Sequence, residues 1–187
     1  MARRVYNFEK PDRFVAGTVG QPGSRTFYLQ ARDGTRIVSV AVEKVQVVLL
    51  AERLTQLLAE VRARGANVPQ EAALADVDSA PLDEPLNETF RVGTMAIVWN
   101  GEDESIVVEA RAMSEDAEEG DEDVEDDADD ADDESDVVRV QLAPHKALAF
   151  AQQALEIVAA GRLPCPFCGQ PLNPEGHICA RRNGFMH

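Results

Sequence analysis

The sequence predicts an α+β protein: a duplicated β-β-β-α unit forming a two-layer antiparallel sheet/helix sandwich. Two observations carry that prediction. From Ile37 to Leu58 a β-branched run passes straight into an amphipathic helix, IVSVAVEKVQVVLLAERLTQLL, and from Val137 to Val158 the pattern returns as VVRVQLAPHKALAFAQQALEIV. Ahead of each copy lie two more strand-like segments punctuated by turn residues.

The boundaries follow from composition. Residues 1–65 form the first unit, 66–88 a linker, 89–161 the second unit with an acidic insert at 114–136, and 162–187 a tail. Residues 1–12 read as a leading arm or edge strand, with Val5, Tyr6 and Phe8 suited to pairing before Lys10-Pro11-Asp12 breaks the run. Phe14–Val19 is a strand, and Gln21-Pro22-Gly23-Ser24 places Pro and Gly for a type II turn. Arg25–Arg32 is rich in aromatic and β-favouring residues. Asp33-Gly34 is a two-residue hairpin signal leading into Arg36–Val42.

The first helix is expected over Glu43–Arg64, with Val47, Leu50, Ala51, Leu54, Leu57, Leu58 and Val61 as its apolar stripe. Gly65 suits the position just past its end. The linker is rich in breakers, with a short helix expected over Pro69–Val77. The second unit repeats the order with Phe90–Trp99, the Asn100-Gly101 turn signal, Ser105–Ala112 and Val137–Leu142. Pro144 suits the first position of the second helix, whose stripe is Ala147, Phe150, Ala151, Ala154, Ile157 and Val158. Each of those six lies 100 residues after an apolar stripe position of the first helix. Six antiparallel strands under two helices, related by a pseudo-twofold, would share one core.

The net charge of −16 belongs to one place. Of the 34 acids, 16 lie between Ser114 and Asp136 with no Lys or Arg, which leaves 18 acids against 18 bases elsewhere. Like charges at that density repel and bury no core, so disorder is expected there. The insert reads as a solubilising loop or as an electrostatic tether for a basic partner. Composition offers no basic surface for nucleic acid. No apolar run approaches the roughly 18 residues of a membrane span, and no apolar stretch follows the early arginines, so a cytoplasmic protein is expected.

All three cysteines fall in the tail, L-P-C-P-F-C-G-Q-P-L-N-P-E-G-H-I-C-A-R-R-N-G. Cys165 and Cys168 form a C-x-x-C-G knuckle, whose two-residue gap turns both thiolates toward one metal. His177 and Cys179 stand at i and i+2, on one side of an extended segment. Together they make a Cys₃His set, a zinc knuckle of the closed structural kind, since four protein ligands leave no open position for a substrate. The alternatives are a reduced cluster without metal, or a redox C-x-x-C. Arg181, Arg182, Asn183 and Phe185 beyond Cys179 offer cationic and stacking groups to nucleic acid or protein, or dock the tail on the domain.

No P-loop, G-x-G-x-x-G, G-x-S-x-G or H-E-x-x-H motif is present. His145 and Lys146 in the first turn of the second helix are candidates for anion or partner contact, or plain surface residues. Arg32 and Arg111 recur as Ala-Arg pairs at comparable strand positions.

The stretch R-F-V-A-G-T-V-G-Q-P-G-S-R-T-F-Y-L-Q-A-R-D-G, its continuation V-E-K-V-Q-V-V-L-L-A-E-R-L and the cysteine tail resemble an uncharacterised actinobacterial family, domain of unknown function 3090. The resemblance covers nearly the whole chain and transfers no catalytic residues. It implies a cytoplasmic protein encoded beside lipid-kinase-like and histidine-phosphatase-like proteins, and an acidic insert that varies within the family. Three readings of function follow. The first is a non-enzymatic, zinc-stabilised binding or adaptor protein with a protein partner such as those kinase-like or phosphatase-like neighbours. The second is a nucleic-acid-associated knuckle protein. The third is an enzyme with its site between the two repeats.

Overall fold

Among the described residues, alternating apolar residues build seven strands: β1 (Val5–Phe8), β2 (Arg13–Val19), β3 (Thr26–Asp33), β4 (Arg36–Val42), β5 (Glu88–Asn100), β6 (Ser105–Ala112) and β7 (Val137–Leu142). Helix α1 (Lys44–Ala63) follows β4, and α2 (Pro144–Ala159) follows β7. The computed structural model describes residues 3–114, 135–161 and 165–168.

The strands form one mixed sheet in the order β1-β7-β6-β5-β4-β3-β2. Within β2-β3-β4 and within β5-β6-β7 every pairing is antiparallel. The two meanders meet through a parallel pairing of β4 with β5, and β1 adds a second parallel pairing against β7. The sheet is therefore larger than the six antiparallel strands expected, and it is not purely antiparallel. A twofold would set like strands against each other at the junction. Here the third strand of one unit meets the first strand of the next, so the two units follow one another head to tail along the sheet. The leading arm is the extra strand, because Phe8 at its end is fully buried and β7 has an outer edge whose backbone groups need partners.

Reach dictates the curvature. Opposite edges of a flat seven-stranded sheet lie about 29 Å apart, at about 4.8 Å per spacing. Yet β1 and β2, the two edges, are joined by Glu9–Asp12 alone, and the five steps from Phe8 to Arg13 span at most about 18 Å. The sheet must curl until its edges approach. Side-chain contacts agree: the Arg36 guanidinium of β4 donates to Asn7 O of β1 at 3.1 Å and lies over the Phe8 ring at 4.4 Å. Phe14, Leu29, Ala31, Val38 and Val40 from one half of the sheet line the same small void as Val108, Ala110, Val138 and Val140 from the other.

One core results. The inward strand residues join the helix stripes, with Val47, Leu50, Ala51, Leu54, Leu58 and Val61 buried on α1 and Ala147, Phe150, Ala151 and Ala154 on α2. Leu57, Ile157 and Val158 pack half-buried against it. Pro144 takes the first turn of α2 as its spacing predicts. The β3–β4 turn is displaced by one residue from the expected position. Asp33 pairs with Arg36, so the loop is Gly34-Thr35, and only Gly34 has positive φ (57°), as a turn with glycine at its first central position requires.

The short helix expected over Pro69–Val77 is a single 3₁₀ turn at Leu74–Asp76. Most of the acidic insert lies outside the described residues, but its flanks meet: Ala112 N donates to Asp136 O at 2.8 Å, and Arg111 pairs with Val137. The insert thus leaves and re-enters the sheet at one point. Among the described residues no helix is long and apolar enough to cross a membrane.

Candidate functional site

The outer face of β2-β3-β4 carries Arg13, Gly17, Gln30, Arg32 and Ser39, opposite the core face. Segment 78–83 straps that face. Arg13 is only 8% exposed, unusual for an arginine, and its fork explains why. Its Nε donates to Asp78 Oδ2 at 2.6 Å, and its Nη2 to Asp78 Oδ1 at 2.9 Å and Ala80 O at 2.8 Å. Its Nη1 donates to Pro81 O at 3.0 Å and sits 3.1 Å from Asp83 Oδ2, an ion pair outside hydrogen-bond alignment.

Gln30 adds a second clamp. It accepts from Asp83 N at 2.8 Å, and its amide nitrogen donates to Asp83 O and to Ser39 Oγ, each at 3.0 Å. Leu82 lies directly on Gly17, where a Cβ would collide with its side chain. The hydrogen bond from Arg13 holds the Asp78 carboxyl below its ordinary value against the opposing effect of burial. The same bond holds the Arg13 guanidinium still more firmly protonated.

Strap and sheet enclose the first cleft, about 510 Å³, between β2 of the first unit and α2 of the second. Phe14 stacks on Phe150 at its floor, ring centroids 4.6 Å apart. Gln153 closes the back wall by accepting from Ala16 N at 3.1 Å and donating to Ala16 O at 2.7 Å. It serves β2 as a neighbouring strand would. Asp12, Asp76, Asp78 and Lys146 line the mouth. Three of these hold the chain itself: Asp78 binds Arg13, Asp12 Oδ2 accepts from Gly34 N at 2.8 Å, and Lys146 Nζ donates to Pro11 O at 3.3 Å.

A second cleft, about 710 Å³, opens where α1 begins and α2 ends. Arg25, Lys44 and Arg91 line it with Glu43, Phe27 and Gly161. Arg25 Nη1 donates to Ala160 O at 3.2 Å, and Arg91 Nη1 pairs with Glu43 Oε1 at 2.9 Å. Gln46 of α1 ties the helix start to β5. Its amide nitrogen donates to Val92 O and Gly93 O at the β5 bulge, and its oxygen accepts from Glu43 N.

Of the residues picked out from sequence, Lys146 borders the first cleft. His145 is exposed beside it on α2 and lines neither. Arg32 pairs with Asp83 under the strap at 3.3 Å, and Arg111 sits 3.6 Å from Glu109, so neither enters a cleft. Cys165 (4% exposed) and half-buried Cys168 flank a turn four residues past Gly161. His177, Cys179, Arg181 and Arg182 lie outside the described residues. The two described cysteines are soft donors at chelating spacing, and among the described residues no three His, Cys, Asp or Glu gather where they could hold a metal ion. Sequence reasoning missed Arg13, Gln30, Gln153 and the strap aspartates. One signal was available: Gln153 is a polar residue beside the apolar stripe, one turn after Phe150.

These features define a curled α+β sheet protein with two charged clefts, one between strap and α2 and one where α1 begins and α2 ends. The chain belongs to the family described as protein of unknown function DUF3090, whose model matches residues 6–179. No curated protein and no solved structure matches it.

Proposed function

We propose that this is a non-enzymatic binding or adaptor protein whose tail is pinned by structural zinc on Cys165, Cys168, His177 and Cys179. The observation that supports it most is how the cleft charges are used. Arg13 grips the strap, Lys146 the β1–β2 connection, Arg25 the end of α2, and Arg91 the cap of α1. Such groups hold segments in place, which suits a rigid surface for a partner better than a convergent nucleophile and base. The partner is a protein, with kinase-like or histidine-phosphatase-like proteins as the first candidates.

The test is affinity capture from the native host at two salt concentrations, with metal analysis of the purified chain. One zinc per chain is expected, lost in Cys168→Ser, together with a stoichiometric protein partner that a chain ending at residue 161 fails to retain. Nucleic acid in the eluate, sensitive to salt and to Arg181→Ala/Arg182→Ala, would replace this reading with a nucleic-acid-binding one. A metal-free chain with full partner binding would remove zinc from it.

A further inference from the structure

We propose that β1 is an exchangeable strand, and that two copies of this chain form a dimer by trading it, β1 of each copy pairing in parallel with β7 of the other. The acceptor edge comes first. The outer edge of β4 receives a parallel strand, β5, inside the chain. The outer edge of β7 is the corresponding edge of the second unit, and β1 fills it in the same parallel sense. The seat is thus built to receive a strand that is distant in sequence.

The attachment within one copy is slight. Four residues pair, from Val5↔Val137 to Phe8↔Val140. Phe8 is the one fully buried side chain of β1, whereas Val5 is 51% exposed. Outside the ladder, Val137 N donates to Arg4 O at 2.9 Å, Arg4 N donates to Asp136 Oδ1 at 2.8 Å, and Arg36 holds Asn7 O and the Phe8 ring.

The connection decides the occupant. Glu9–Asp12 must bring the two edges of the sheet together within its short reach, and Pro11 limits how it bends. A second copy offers β7 an identical β1, so every ladder and side-chain contact re-forms in the exchanged state. The two states then differ in the geometry of 9–12 and in the local concentration that tethering gives. Short connections favour exchange. Growth stops at two copies. The exchange is reciprocal, and the other edge, β2, is closed by Gln153 and α2.

Asn7 and Arg139 are exposed Cα partners across β1 and β7, which gives the test. Chains carrying Asn7→Cys or Arg139→Cys alone are purified separately, mixed at rising concentration and oxidised. Peptide mapping then identifies the disulfide between the two introduced thiols and separates it from links through Cys165, Cys168 or Cys179. The proposal expects that cross-linked peptide between copies, in a species of twice the mass, with a yield that climbs with concentration. A chain carrying both substitutions checks that the geometry permits the bond. If it closes within one copy while the mixed single variants give no such peptide at any concentration, the exchange is refuted. Inserting Gly-Ser-Gly-Ser between Glu9 and Lys10 relieves the reach and is expected to lower the intermolecular yield. An unchanged yield would overturn the argument from the short connection.

Discussion

Replacing Arg13 with methionine removes the strap's main anchor while keeping most of the buried volume. The loss leaves the Asp78 carboxylate and the carbonyls of Ala80 and Pro81 without their cation, and the Asp83 carboxylate with Arg32 alone. Breaking a buried pair by deleting one partner costs about 3–5 kcal/mol. The Asp78 side chain is 36% exposed and the Asp83 side chain 25%, so water recovers part of that cost. About 3 kcal/mol is the expected destabilisation, equivalent to a fall in Tm of roughly 6–12 °C for a chain of this size. Arg13→Lys keeps the charge but loses the fork, and is expected to recover under half of the loss. Thermal unfolding of the three proteins measures this, and amide exchange over 78–83 locates it. A Tm within about 2 °C of the parent, or unchanged exchange across the strap, would refute the view that Arg13 holds it.

The depressed Asp78 carboxyl sets a pH dependence. Its stabilising contribution is complete above the ordinary aspartate value of about 3.9 and is shed as pH falls through the lower folded-state value, so acid unfolding of Asp78→Asn is expected to be less steep there. Gly17→Ala drives a methyl into Leu82 and is expected to cost about 1–3 kcal/mol in denaturant unfolding, with Leu82→Ala in the same chain restoring part of it. Gln153→Leu strips partners from the buried N–H and C=O of Ala16. It is expected to cost roughly 2–4 kcal/mol and to speed amide exchange at Ala16 ahead of the rest of β2.

Local features were the legible ones. The stripes of α1 and α2, Pro144 at its helix start and the β-rich runs of β3 and β4 each write their structure into a window of a few residues, because side-chain period follows backbone geometry. Edge choice is not local. Nothing near Val42 announces that β4 will take a parallel neighbour from beyond residue 87, since that pairing depends on which edges remain once each meander has closed. The strap was hidden for the same reason: Arg13 and Asp78 are 65 residues apart, and each looks like a surface charge in its own window. The Gly34-Thr35 turn shows a finer limit. The glycine announced a hairpin, but the register was set by Asp33 pairing with Arg36. Of the sites, the Cys165–Cys168 spacing could be read from a short window. The clefts could not, because their walls come from elements that only the curl of the sheet brings together.

The β1–β7 pairing also orders events in time. Among the seven strands described, ribosomes release β1 first and its partner β7 last, across a separation of 132 residues between Arg4 and Asp136. Throughout synthesis of the first unit, β1 has no native seat. The outer edge of β4 stands open for the same interval and accepts strands in the same parallel sense, which offers β1 a wrong berth until β5 emerges to claim it. Contacts of such long range form late and slow the overall rate. Nascent-chain lengths that end between β4 and β5 are therefore where misfolding and chaperone capture should concentrate.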